Sequence, residues 1–171
     1  MVMGKRKAKS KKLKSKILAS ALILTIAVLI FSLLSFALRE YIDRSEYVEA
    51  DVVRVVGTTV ILGYNCTAIV AQTSEERARS IELGLKKKIE VRPNSHDIFV
   101  DVIKYYNITL ESVTLDRFEN NIYYATLHLS KNNLKLNLDS KPSDAIAIAL
   151  RAKSPIYINK TLLKLYGKNI C

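Results

Sequence analysis

Asp139-Ser140-Lys141-Pro142-Ser143-Asp144-Ala145-Ile146-Ala147-Ile148-Ala149-Leu150-Arg151-Ala152-Lys153-Ser154-Pro155-Ile156-Tyr157-Ile158 is the stretch whose reading decides the fold. Proline is tolerated in the first turn of a helix, serine is a good cap, and Asp144 stands where the helix dipole favours an anion. Lys-Pro-Ser-Asp is therefore a competent helix start. From Ala145 to Leu150 there is no polar face, so this helix is expected to be covered on most sides, by a sheet and by another helix or a subunit, with its small alanines allowing close approach. Ser154-Pro155 ends it, and Ile156 to Ile158 reads as a short strand.

On the N-terminal side of that helix, Leu110–Phe118, Tyr123–Leu129 and Leu134–Leu138 read as strands joined at Glu119-Asn120-Asn121 and Lys131-Asn132-Asn133, where asparagine tolerates positive φ. Alternation puts Ala125, Leu127, Leu129, Leu134, Leu136 and Leu138 on one face, and Tyr124, Thr126, His128, Asn137 and Asp139 on the other. Further back, Val52–Val56, a Gly57-Thr58 turn, Val60–Tyr64 and Ala68–Ala71 predict an antiparallel start. Thr73 and Glu76 have capping-box spacing for a helix running to about Lys87, with Ala78, Ile81 and Leu85 on its apolar face. After Arg92-Pro93, Asn94 caps a second helix that buries Ile98, Phe99, Val102 and Ile103 and carries Asp97 and Asp101 on a neighbouring face. Leu162 to Tyr166 closes the chain as a short helix. Antiparallel runs with inserted helices make the class α+β, with helices packed on an antiparallel or mixed sheet.

Ahead of this domain, Ile17 to Leu38 carries no charge, and as a helix its 22 residues would reach about 33 Å, enough to cross a bilayer core. Eight lysines and arginines and no acid precede it, which keeps residues 1–16 in the cytoplasm. The expected organisation is a basic tail (1–16), a single membrane-spanning helix (17–38), a juxtamembrane linker (39–50) and a domain over 51–171 on the extracytoplasmic side. A cleaved signal peptide is the competing reading, but its apolar core runs about 7–15 residues, shorter than this one.

The formal net charge of +11 is misleading as a sign of nucleic-acid binding. With the eight basic residues of the tail set aside, 19 of the 27 remain against all 16 acids, so the domain is only +3. The tail sets topology and meets anionic lipid. Lys86-Lys87-Lys88 reads as a solvated helix end. Cys66 and Cys171 lack zinc-site spacing, and the sequence leaves a disulfide between them open. Sequons at Asn65, Asn107 and Asn159 are compatible with an extracytoplasmic domain.

Taken together, Arg92-Pro93-Asn94-Ser95-His96-Asp97-Ile98, Tyr123-Tyr124-Ala125, Asp139-Ser140-Lys141-Pro142-Ser143-Asp144-Ala145-Ile146-Ala147 and Pro155-Ile156-Tyr157-Ile158 resemble, in order, the motifs of the bifunctional nuclease domain family, described as DNase/RNase. The resemblance spans roughly Glu46 to Tyr166. Ser95 stands where the family has threonine, and Lys141 where it has arginine, which keeps the charge but loses bidentate phosphate geometry.

The resemblance implies hydrolysis of DNA or RNA phosphodiesters, with nucleic acid as partner. Such chemistry needs a water activator, charge stabilisation and usually a divalent metal, Mg²⁺ or Mn²⁺, and implies no organic cofactor. His96, Asp97, Asp139 and Asp144 are the candidate catalytic residues. Asp97, Asp139 and Asp144 are the candidate metal ligands, and Arg92, Lys141 and Ser143 would meet phosphate. Structural roles compete for several of them: Asp97 and Asp144 suit helix N-termini, Ser143 and Asn94 suit caps, and Arg92 could pair with an acid. The alternative function is a non-catalytic binding or scaffold domain on the same fold. A homo-oligomer is expected in either case, and the apolar helix from Ala145 to Leu150 is its candidate subunit interface.

Overall fold

The structure, a computed structural model, describes residues 20–33 and 45–171. Residues 1–45 and 46–171 are separate compact units. In the first, residues 20–33 are helical and expose their apolar side chains, Leu22 at 63% and Phe31 at 73%. Among the described residues no helix is long and apolar enough to cross a membrane. The expected crossing segment is only partly covered, because 17–19 and 34–38 lie outside the described residues, as do the basic tail and residues 39–44.

The second unit is α+β. Its elements are β1 (Tyr47–Val56), β2 (Thr59–Tyr64), β3 (Thr67–Gln72), α1 (Glu75–Leu85), α2 (Ser95–Tyr105), β4 (Thr109–Glu119), β5 (Ile122–Lys131), β6 (Leu134–Ser140), α3 (Pro142–Ala152), β7 (Ile156–Asn159), α4 (Lys160–Tyr166) and β8 (Lys168–Asn169). The strands form one eight-stranded sheet in the order β6-β5-β4-β7-β1-β2-β3-β8. β4 and β7 run parallel and the other described pairs are antiparallel, so the sheet is mixed. The sheet begins inside the stretch read as a linker, since Tyr47–Ala50 pairs with β7.

The turns follow their chemistry. Gly57, Asn120, Asn121 and Asn132 all have positive φ, at the β1–β2, β4–β5 and β5–β6 connections.

α3 is the centre of the helical layer. Ala145 to Ala149 are buried without exception, between β4 and β5 beneath and α1 and α2 on either side. This helix is therefore covered by its own chain, which removes it as a subunit interface. Gly84 of α1 is where the close approach occurs, because a Cβ there would press on Leu150 and the Arg151 guanidinium.

Four local expectations need correction. Of the stripe expected on α2, Ile103 is buried and Phe99 packs on the core, but Ile98 is 52% and Val102 46% exposed. Ser74 rather than Thr73 caps α1, accepting from the Arg77 N–H, because the Thr73 N–H is taken by the Thr58 carbonyl as an extension of the β2–β3 hairpin. α1 also stops at Leu85, short of Lys87, which lies at φ 52. The leucine face of β6 is not uniformly buried: Leu134 is 74% and Leu136 53% exposed, since α3 lies over β4 and β5 and β6 is the sheet edge.

The cysteines left open by the sequence are joined. A Cys66–Cys171 disulfide ties the C-terminus to the turn between β2 and β3, next to the two-residue strand β8.

Candidate active site

α2 begins with Asn94 as a reciprocal cap. Its side-chain oxygen accepts from the His96 and Asp97 N–H groups at 2.9 and 3.2 Å, and Asp97 Oδ2 accepts from the Asn94 N–H at 2.9 Å. This fixes two adjacent side chains in different surroundings. Asp97 turns inward and is 7% exposed; its Oδ1 accepts from Arg151 Nε of α3 at 2.5 Å. Burial pushes the Asp97 carboxyl up. The hydrogen bonds from Arg151 and from the Asn94 backbone, with the charges of Arg151 and His96, outweigh burial and hold it below the usual aspartate range.

Arg151 is spent entirely on this interior. Nη1 donates to the Ser80 and Ala147 carbonyls at 3.0 and 2.8 Å, and Nη2 donates to Ser80 Oγ at 3.2 Å. Ser80 Oγ also accepts from Asn94 Nδ2 at 3.2 Å and lies 2.8 Å from His96 Nδ1. With two donors filling its lone pairs, the hydroxyl must give its own hydrogen to His96 Nδ1. A neutral His96 then carries its proton on Nε2, and that atom faces Asp144 Oδ1 at 3.4 Å.

Asp144 is the third residue of α3, and Arg77 Nε of α1 is 3.8 Å from the same oxygen. The His96 side chain is 14% exposed, that of Asp144 31% and that of Arg77 39%, so Asp144 and Arg77 form the solvent side of the cluster. Three helices thus deliver an imidazole, a carboxylate and a guanidinium to one half-open spot. Lys141 is the exposed cap residue of α3, without a side-chain capping bond, and Ser143 is half-buried in the first turn.

The remaining expected residues are elsewhere. Asp139 is exposed on β6 and alternates with Leu138, which packs on the core, so its side chain lies on the sheet face away from the helices. On that face His128 sits between Thr114 Oγ1 and Asn137 Oδ1, each at 2.9 Å. Arg92 is exposed in the loop before α2. The expected three-aspartate metal set is not assembled: Asp97 is held by Arg151 and its own cap, and Asp139 and Asp144 belong to different faces. Among the described residues no three His, Cys, Asp or Glu side chains stand close enough to share a metal ion.

Ser80, Arg77 and Arg151 were not picked out by sequence reasoning. Arg151 alone carried a signal, as a charge directly following an apolar helix that had to be covered.

A family model described as Bifunctional nuclease domain matches residues 64–170. An uncharacterized protein of Mycobacterium tuberculosis (strain ATCC 25618 / H37Rv) is 33% identical over 93 residues, which is 54% of this chain and 55% of that protein. Bifunctional nuclease 2 of Arabidopsis thaliana is 35% identical over 74 residues, 42% of this chain and 22% of its own length. Bifunctional nuclease 1 of Oryza sativa subsp. japonica is 31% identical over 74 residues, with the same shares. The chain spans about half the length of the mycobacterial relative and about a fifth of the plant ones.

Proposed function

Because the chain belongs to the bifunctional nuclease domain family, we propose that it hydrolyses phosphodiester bonds of DNA or RNA at the spot where α1, α2 and α3 meet. The observation that carries this is the His96–Asp144 contact, which joins the two motif segments through side chains at 3.4 Å. Asp144 is the general base. It takes a proton from a water molecule, the water oxygen bonds to phosphorus, the ester P–O bond breaks, and the departing oxygen takes a proton from solvent. His96 is a positioning residue: Ser80 fills its Nδ1, leaving the Nε2–H to orient the Asp144 carboxylate. Arg77 and Lys141 supply positive charge for the phosphate, and the first turn of α3 adds its dipole. The donor set does not fit a three-carboxylate metal site, so no step is assigned to a metal.

We read residues 17–38 as an anchor that leaves the domain outside the cytoplasm. The exposed apolar helix over 20–33 supports the first part. The Cys66–Cys171 disulfide supports the second, since such bonds persist in oxidising compartments. Alkylation of chain taken directly from cells should leave both cysteines unlabelled until reductant is added; labelling without reductant counts against this placement.

The test of activity uses the full chain in detergent micelles with single-stranded DNA and RNA. Asp144→Asn should slow cleavage by about 10²–10⁴-fold, the usual contribution of a general base. His96→Ala should lower turnover while leaving substrate affinity nearly unchanged. Salt-sensitive binding without cleavage would instead favour the non-catalytic binding module. Cleavage indifferent to Asp144→Asn would remove the site.

A further inference from the structure

Among the described residues, seven other than glycine have positive φ. Five are asparagines, a side chain that tolerates this conformation well. The other two are Lys87, just past α1 at φ 52, and Lys153, just past α3 at φ 60. Glycine or asparagine is the usual occupant of such a helix end, because a Cβ there is crowded by its own backbone. A lysine in the last turn would serve the helix dipole without the unfavourable φ. Two lysines held in a strained conformation call for a common cause, and both line one cavity.

That cavity, of about 320 Å³, lies between the end of α1, the middle of α2 and the end of α3. Lys88 and Lys104 line it together with Lys87 and Lys153, and all four are exposed. Among the described residues none of their ammonium groups has an acidic partner, whereas Lys86 beside them is paired with Glu82. Of the two acids at the cavity, Asp97 is neutralised by Arg151, so Asp101 alone opposes four lysines. Ile89 and Leu150 add apolar wall. Like charges gathered beside an apolar wall repel one another, and a ligand with several negative charges and some apolar surface relieves both.

We propose that this cavity holds the phosphates and bases of a single-stranded nucleic acid, some nucleotides away from the bond cleaved at Asp144, an inference that rests on the hydrolytic reading of that residue. α1 and α3 run side by side in one direction: Arg77 meets Asp144 near their starts, and Gly84 faces Leu150 and Arg151 near their ends. Lys153 is nine residues beyond Asp144 and Lys87 ten beyond Arg77, about 14–15 Å at the helical rise. A stacked strand advances about 3.4 Å per nucleotide, so the cavity receives the part of the strand about four nucleotides from the scissile phosphate.

The experiment uses the full chain in detergent micelles, carrying Asp144→Asn so that binding is read without turnover, and a fluorescent single-stranded oligonucleotide of about twelve nucleotides. Adding Lys87→Asn and Lys153→Asn should weaken binding at least about tenfold. It should also flatten the dependence of log K on log salt by about 1.4, two phosphate contacts at about 0.7 each. The same pair should leave the thermal midpoint unchanged or higher, because asparagine suits both backbones, so loss of fold does not imitate loss of binding. Lys164→Gln, on α4 and outside the cavity, should change neither quantity. A dinucleotide, too short to reach from Asp144, should bind both forms alike. The proposal is overturned if the doubly substituted chain binds the oligonucleotide like its parent, or if Lys164→Gln weakens binding as much. It is equally overturned if the pair lowers affinity only for phosphatidylserine vesicles, which would make the cavity a lipid-headgroup site. Lysine-dependent binding with no cleavage by the wild-type chain would strike the role given to Asp144 and leave the cavity its ligand, so the two failures are distinct.

Discussion

Asp97 and Asp144 hold the same position in two helices, the third residue of α2 and of α3, yet they have become different chemical groups. Asp97 follows an asparagine cap that binds it in return and lies under Arg151, 7% exposed. Asp144 follows Lys141, which makes no side-chain cap bond, and its nearest cations and donors stand off at 3.4 and 3.8 Å with 31% of the side chain in solvent. Helix position supplies the same favourable dipole to both. What separates them is the partner: one carboxylate is saturated and sealed, the other is oriented and open to solvent. Ser80 links the two, touching Arg151 on one side and His96 on the other.

The comparison breaks most severely at Arg151. Arg151→Met leaves Asp97 buried with half its partners gone and should cost about 3–5 kcal/mol of stability, read by chemical denaturation at neutral pH. The pH dependence carries the sign. The folded Asp97 is depressed below the usual aspartate range, so its contribution is present above that range and is lost as pH falls through the folded value. In the variant burial acts unopposed by Arg151 and the carboxyl is pushed up. The difference between variant and wild type should therefore shrink as the solution is acidified, and a gap that widens in acid would contradict this account of the pair.

Ser80→Ala tests the link and should cost less, about 1–3 kcal/mol. It leaves Arg151 its Asp97 bond but strips a partner from Asn94 Nδ2, Arg151 Nη2 and His96 Nδ1. Its distinctive effect is on His96, which loses the donor that fixes its tautomer. Imidazole nitrogen chemical shifts measured by NMR should show the Nε2–H form dominant in wild type and a mixture in the variant. An unchanged tautomer ratio would mean that Ser80 is only a packing residue.

The sequence made the helices and turns legible because their determinants are local. Lys141-Pro142-Ser143-Asp144 marks the start of α3, and Asn120, Asn121 and Asn132 mark turns by their tolerance of positive φ, which all three adopt. The site was half legible. His96 and Asp144 could be named because each begins a recognisable helix, but their partners come from far along the chain: Arg151 is 54 residues from Asp97 and 71 from Ser80. No pattern in a helix reports which distant serine its arginine will reach. Asp139 shows the opposite failure. Five residues from Asp144 in sequence, it points to the other side of the sheet, because a strand alternates and the chain turns into α3 only after Ser140. Leu134 and Leu136 were assigned the correct face, but alternation cannot tell whether a helix reaches the edge to cover it.

The smallest stability effect is predicted at the residue proposed to matter most for chemistry. Asp144→Asn keeps the shape and hydrogen-bonding capacity of the side chain, and what it removes is a charge attracted to Arg77 and His96 across 3.8 and 3.4 Å in a partly solvated setting. Water screens such an attraction, so the change in unfolding free energy should stay within about 0.5 kcal/mol. The same single-atom exchange should slow phosphodiester cleavage by about 10²–10⁴-fold, because an amide oxygen cannot accept a proton from water at neutral pH. Denaturation curves and cleavage rates on one preparation decide the matter. A variant that loses several kcal/mol would mean that Asp144, like Asp97, is a structural acid, and that the difference between the two first turns is one of exposure only.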